Sequence, residues 1–270
     1  MSTPATGLHH VELVMGTAVS FDIRDNVAER RGLDAAIAWL HHVDQTFSPY
    51  IPDSPISRLG RGDLTLDDVD DEITGVLLQC EQLRADTEGA FDAFAVPAPN
   101  GTMLDPSGYV KGWSIERAAT ILETAGHTDF TINAGGDIAV RGHAAPDTAW
   151  AIGIRHPEDR TQLAMVLDVI GPAAVATSAT YERGAHIVDP RTGQPTTDLA
   201  SVTVVGPDLS SVDAYATAIF VMGLRGLQWL AKHPGHDAMA ITHDDRVHLT
   251  PGFDKWRRRV DCGGPVVKGG

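Results

Sequence analysis

Asp213 and Thr217 lie four residues apart in the segment 210–223, SSVDAYATAIFVMG, and therefore share one face near the start of a helix. A carboxylate and a hydroxyl are hard oxygen ligands suited to Mg2+ or Ca2+, and a helix N-terminus with free N–H groups suits a phosphate. Together they read as a site for a metal-bound diphosphate. The competing reading is structural: Ser210 or Ser211 caps the helix, Asp213 complements its dipole, and Thr217 is a small packing residue.

Three other segments carry chemistry-bearing residues. Residues 177–193, TSATYERGAHIVDPRTG, gather hydroxyls, one histidine, one carboxylate and arginines; such a mixture is either turn chemistry or a functional loop. Within it His186 is the candidate base, because an imidazole can accept a proton at neutral pH. Asp189, three residues on, either orients it or holds the following turn. In residues 130–142, FTINAGGDIAVRG, paired glycines precede Asp137, which fits a plain hairpin turn or a close backbone approach to a ligand. In residues 109–119, YVKGWSIERAA, a Lys-Gly pair opens a helix whose inward face is Ile115, Ala118, Ala119 and Leu122, with Gly126 just past its end. A lysine at a helix start opposes the dipole, so Lys111 is expected to face an anion.

The order and content of these segments resemble the ApbE family, the FAD:protein FMN transferases. The resemblance runs through Met15-Gly16-Thr17, Phe47-Ser48-Pro49-Tyr50, residues 54–59, Glu88-Gly89-Ala90-Phe91-Asp92, Lys111-Gly112, residues 133–137, Ala176-Thr177-Ser178, residues 186–193 and residues 213–223. It covers nearly the whole chain, 1–270, which is read as one ApbE-like unit. Three positions depart from the family pattern: Ala179 follows Thr-Ser where Gly is usual, Gly60 stands for Asn, and Glu116 for Asp.

The resemblance implies that FAD and Mg2+ (Mn2+ being tolerated by the same oxygen ligands) are bound, that FMN passes to a Thr or Ser hydroxyl of a target redox protein as a phosphoester, and that AMP leaves. It implies metal ligation by Asp213, Thr217 and the main-chain carbonyl of Val110, and catalysis by His186 with Asp189. Flavin or adenine contacts fall to Met15 and Tyr50, and further FAD contacts to Asp92, Lys111, Glu116, Asp137, Thr177, Ser178, Arg191 and Thr192. Asp92 and Asp137 either fix FAD hydroxyls or the target, or satisfy turn N–H groups. The acceptor segment is of the form Asp-x-x-Ser/Thr-Gly-Ala-Thr. Two alternatives remain: an FAD pyrophosphatase, which uses the same metal and diphosphate site with water as nucleophile, and a non-catalytic FAD-binding protein, which would be expected to lose Asp213, Thr217 or His186, all present here.

Composition sets broad limits. The chain of 270 residues is 43% hydrophobic and can bury a substantial core. Its net charge of −15 argues against a nucleic-acid partner and leaves Lys111, Arg183, Arg191 and a metal to meet the anionic FAD. No basic region followed by an apolar run opens the sequence and no membrane-spanning stretch is evident, so a cytoplasmic location is expected. Cys80 falls on an apolar helix face with Ile73, Val76, Leu77 and Leu83, as a buried thiol, and Cys262 lies in a Gly-rich tail.

The expected fold is α+β or mixed α/β, a single globular unit with the T-fold-related architecture that the resemblance implies. Periodicity predicts a strand over 11–23 and helices over 27–46, 71–87 and 113–125. Strands follow at 129–132, 137–141, 150–155, 164–170, 173–177 and 201–205. A long helix over 212–232, with a break near Gly223, precedes paired strands at 238–242 and 246–249.

Overall fold

The chain adopts a mixed α+β fold, seen in a computed structural model that describes residues 7–25, 30–98, 101–159, 161–179 and 188–258. Met15 and Gly16 take φ of 53° and 70°, and this turn divides the expected opening strand into a hairpin of β1 (Leu8–Val14) and β2 (Thr17–Ile23). Helix α1 (Leu33–Phe47) starts later than its apolar pattern suggested, after Gly32, whose φ of 81° is not helical; residues 26–29 of that expectation lie outside the described residues. Helices α2 (Pro55–Gly60) and α3 (Asp71–Asp86) follow, each capped by a side chain, Ser54 accepting from Ser57 N–H and Asp70 from Ile73 N–H. A short pair, β3 (Val96–Ala98) and β4 (Gly101–Met103), leads to α4 (Ser107–Thr124).

Helix α4 corrects the expectation over 113–125. It begins just after Pro106, so Lys111 is inside the helix rather than at its opening, and its position there must be explained by what it meets. Next come β5 (Phe130–Ala134) and β6 (Asp137–Arg141), joined by Gly135-Gly136, whose φ of 64° and 110° suit a two-residue hairpin loop. Then β7 (Trp150–Arg155) and β8 (Leu163–Val169) form a separate hairpin, followed by β9 (Ala173–Ala179). The pair β10 (Val188–Asp189) and β11 (Gln194–Pro195) precedes β12 (Ser201–Gly206). The expected helix over 212–232 is two, α5 (Leu209–Met222) and α6 (Leu224–Leu230), parted at Gly223. Asp208, not Ser210 or Ser211, caps α5, its side chain accepting from Ser211 N–H. Strands β13 (Asp237–Ile241) and β14 (Val247–Leu249) close the order.

Eight strands form one antiparallel sheet in the order β1-β2-β5-β6-β9-β12-β13-β14. Its inner face carries α1, α4 and α5: Phe21, Ile132, Ala139, Ala176 and Val204 pack against Leu40, Ile115, Leu122, Val212 and Ile219. The other sides of α4 and α5, with Val110, Ala214 and Ala218, meet Phe47, Ile56, Leu77 and Cys80, so these two helices are a layer with apolar material on both sides. The outer face of the sheet is covered over β6, β9, β12 and β13 by the β7–β8 hairpin, whose Trp150, Ile152 and Ile154 face Val140, Val175, Val205 and Phe253. Cover on both faces accounts for the unbroken burial of β12, whereas β7 alternates buried and exposed. Among the described residues no helix is long and apolar enough to cross a membrane.

Candidate functional site

The site is built where α4 and α5 touch. A Cβ on Gly112 would stand 2.3 Å from the carbonyl oxygen of Leu209 and 2.8 Å from Asp213 Cβ, so only glycine permits this approach. The approach brings the Gly112 N–H within 3.0 Å of Asp213 Oδ2, which accepts its hydrogen bond. Lys111, the preceding residue, puts its ammonium between two carboxylates: it pairs closely with Asp137 Oδ2 and lies 3.5 Å from Asp213 Oδ1. Asp137 is delivered to this point by the Gly135-Gly136 loop, and its Oδ1 accepts from Thr177 N–H at 3.1 Å. The expected anion facing Lys111 is therefore, first of all, this pair of aspartates.

The electrostatics of the cluster are unbalanced. Asp137 and Asp213 are both buried, at 2% and 4% exposure, and one ammonium serves both. Burial pushes the Asp213 carboxyl up to about 7; Lys111 opposes that rise and the neighbouring charge of Asp137 adds to it. With both aspartates ionised, one negative charge is left uncompensated. Thr217 follows one turn later on α5 and faces α4, its Oγ1 lying 4.0 Å from the point where a Gly108 Cβ would be. Two carboxylates, a hydroxyl and nearby backbone carbonyls are a hard-oxygen set that fits Mg2+, which keeps several waters and needs few protein ligands. A divalent cation here would also reverse the upward shift of Asp213. Among the described residues no group of three or more His, Cys, Asp or Glu gathers as a metal site, here or elsewhere, so a cation at this point would rest on two carboxylates together with hydroxyl and carbonyl oxygens.

Lys111 also lines a cleft of about 470 Å3, together with Met15, Phe47, Tyr50, Ser107 and Val110. Tyr50 is 76% exposed at its mouth, and Met15 is held from below, its Sδ 3.6 Å from Ser114 Oγ. A thioether and a phenol ring flank an apolar slot that ends in a charged floor. That shape accepts a flat ring carrying an anionic tail.

The remaining sequence candidates have other partners. Glu116 pairs with Arg141 and accepts from Leu209 N–H at 2.9 Å, so with Asp208 it occupies the α5 N-terminus that was expected to offer free N–H groups to a phosphate. Asp92 accepts from Phe94 N–H at 2.8 Å, the turn role. Asp189 takes the Arg191 guanidinium at 2.8 Å through each oxygen, while its carbonyl accepts from Thr192 and Gly193 N–H; this is the turn-holding alternative, and it draws Asp189 below the usual carboxylate range. Thr192 Oγ1 accepts from Gln194 N–H at 3.2 Å. Thr177 Oγ1 lies 2.9 Å from Thr203 Oγ1, and Ser178 is buried in β9. His186 and Arg183 lie outside the described residues. Sequence reasoning missed the ion pair of Glu116 with buried Arg141; an arginine directly after the apolar run Ile138-Ala139-Val140 was its only signal.

A sequence profile of the ApbE family matches residues 15–100 and 96–240 of the chain. The FAD:protein FMN transferase of Treponema pallidum is 32% identical over 183 residues, 61% of this chain and 51% of that protein. That of Rhodobacter capsulatus is 29% identical over 258 residues, 90% of this chain and 45% of that protein. The chain thus spans about half the length of these curated relatives. Among solved structures, the flavin transferase ApbE from Vibrio cholerae aligns with a TM-score of 0.80 at 23% identity, covering 94% of this chain and 100% of that one. The ApbE protein from Thermotoga maritima aligns with a TM-score of 0.81 at 21% identity, covering 94% and 100%. At such identities the two likenesses speak to the fold.

Proposed function

Because the chain belongs to the ApbE family, we propose that it acts as one unit transferring FMN from FAD to a Thr or Ser hydroxyl of a redox protein, with Mg2+ and with release of AMP. The observation that carries this reading is that Lys111, which pairs with buried Asp137 and Asp213, also lines a ring-sized cleft. The names of the relatives support flavin transfer, and the shared cation and uncompensated carboxylate of the cluster support a place for an anionic, metal-bound substrate.

In this reading Met15 and Tyr50 flank the flavin ring, and Lys111 turns its ammonium from the aspartates toward the diphosphate. Mg2+, held by Asp213, Thr217 and the Val110 carbonyl, would neutralise charge on the diphosphate oxygens. Asp137 holds Lys111 at the site before the substrate arrives, and is itself fixed by Thr177 N–H. His186 takes the proton of the acceptor hydroxyl as its oxygen bonds to the FMN phosphorus; the bond from that phosphorus to the bridging oxygen breaks, and AMP leaves with that oxygen. Asp189 and Arg191 hold the turn that follows His186.

The test is to incubate the protein with FAD and Mg2+, with and without a peptide carrying the acceptor segment, and to follow AMP and covalent flavin by mass spectrometry. AMP with a flavinylated peptide, both lost on adding EDTA, is the expected result. AMP with free FMN and no labelling would replace transfer by hydrolysis, and FAD binding without either product would reduce the chain to a flavin-binding protein.

A further inference from the structure

The outer face of the sheet is covered over β6, β9, β12 and β13, but not over β1, β2 and β5. There two hollows of about 440 and 420 Å3 share Val11, Ser20, Asn133, Ile138 and Gly153 and so run into one groove. Toward the Gly135-Gly136 end its floor is small-featured, formed by outward positions of adjoining strands such as Ala18, Ser20 and Asn133, whereas the far end is lined by larger groups such as His9 and His10. Its wall is β7. Residues of a strand that present one face to a hollow alternate; here Trp150 to Gly153 line one end and Gly153 to Arg155 the other, in unbroken succession. Consecutive lining means that the strand shows its edge. The far edge of β8 is taken by Arg257 and Arg258, whereas among the described residues no strand pairs with the far edge of β7.

The groove ends at Gly135, Gly136 and Thr177, the loop and strand that deliver and fix Asp137. Two charged groups mark its ends. Asp22 is answered by Arg24 at 2.5 Å and by His9 at 3.4 Å. Arg155, beside the Gly135-Gly136 loop, has no carboxylate within ion-pair distance among the described residues, in a chain of net charge −15. An exposed, unanswered guanidinium in so acidic a molecule favours an anionic group on the occupant.

We infer that this groove seats the acceptor protein's Ser/Thr-bearing segment as an added strand on the open edge of β7, with an acidic residue of that segment against Arg155 and its hydroxyl carried over the Gly135-Gly136 loop to the Asp137 side. The inference rests on the transferase reading. An open edge recognises extended backbone through its N–H and C=O groups. FAD enters from the opposite, helical side of the sheet, so the two substrates meet at the hairpin tip without competing for space.

The probe is a peptide containing Asp-Ala-Ala-Thr-Gly-Ala-Thr, compared with the same peptide N-methylated at alternate amides, with wild type, Ala18→Trp, Arg155→Glu and Arg155→Lys. Ala18 is exposed and Arg155 solvent-facing, and neither lines the FAD cleft. The expected result is a peptide KM raised about tenfold or more in Ala18→Trp and Arg155→Glu, with kcat and FAD affinity unchanged, recovery in Arg155→Lys, and loss of labelling for one of the two methylation registers. Wild-type KM in both disruptive variants, or weakened FAD binding in either, would overturn the groove while leaving the transferase reading intact. AMP release without any labelling of the peptide by wild type would remove both.

Discussion

Asp213 and Asp237 are both buried aspartates, at 4% and 5% exposure, each with a lysine at hand, yet burial leaves them in opposite electrostatic states. Asp237 accepts from Thr250 Oγ1 at 3.1 Å and from Trp256 Nε1 at 3.0 Å, and has Lys255 to itself at 2.8 Å. Burial alone would raise its carboxyl, but Lys255 and these donors outweigh it, and the group sits below its usual range. Asp213 shares its lysine with a second carboxylate, receives one backbone N–H, and is pushed up to about 7. The first aspartate is a finished structural joint that ties the turn after β14 to the sheet. The second is left with an unbalanced charge, which the transferase reading assigns to an arriving cation. Under-satisfaction, rather than burial, marks the functional carboxylate.

The sharpest way to break that contrast is activity. Asp213→Ala should lower Mg2+-dependent AMP release from FAD by about a hundredfold or more, with the circular dichroism spectrum retained. Asp237→Asn should leave the same rate within a factor of about two, because its partners are all in the C-terminal turn. Equal losses in the two variants would show that the rate follows general stability and would end the distinction.

Lys111→Met tests the shared cation. Breaking a buried ion pair costs about 3–5 kcal/mol when the remaining charge cannot be relieved. Here it can be relieved by protonation of Asp213, so the thermal destabilisation should be much greater at pH 8 than at pH 5. A pH-independent loss would mean that the two aspartates do not share one ammonium in solution.

The pH dependence of Asp213 follows with a definite sign. Its carboxyl titrates near 7 when folded and near 3.8 when unfolded, so between those values the folded state binds the extra proton. Asp213 therefore lowers stability progressively as pH rises from about 4 to about 7. Denaturant melts of metal-free wild type and Asp213→Asn should diverge across that window in favour of the variant, and Mg2+ should close the gap. Parallel curves would place Asp213 outside the strained pair.

How much of this was legible in the sequence differs by layer. β6 and β7 and the body of α3 are read to the residue or nearly so, because a strand alternation or an apolar face and a side-chain cap announce them. The turn at Met15-Gly16 was hidden because the residues on both sides of it alternate as one strand would. The start of α4 was missed because Ser107 and Gly108 carry no helical signal; Pro106 and the contact with α5 position them. At the site, Asp213 and Lys111 stand out by type and spacing, but the joining of Lys111 to Asp137, 26 residues away, is a matter of sheet register. Glu116 shows what spacing does not reveal: this carboxylate of the motif has Arg141 and a helix end as partners within the fold.

The smallest effect completes the contrast from its structural side. Asp237 lies below its usual range, so its contribution is present above the unfolded-state value near 3.8 and is lost as pH falls through the folded one. Asp237→Asn keeps the shape but removes a charge that anchors Lys255, Trp256 and Thr250, and the loss should be about 1–3 kcal/mol at pH 7. Part of that falls on Lys255, which is 56% exposed and contributes little on its own. Stability measured against urea at pH 7 and again near pH 3 should show the deficit shrink with acid, opposite in sense to Asp213→Asn, whose advantage grows toward pH 7. Two buried aspartates substituted in the same way would then move stability in opposite directions at neutral pH. That result arises when the fold satisfies one charge internally and leaves the other under-compensated.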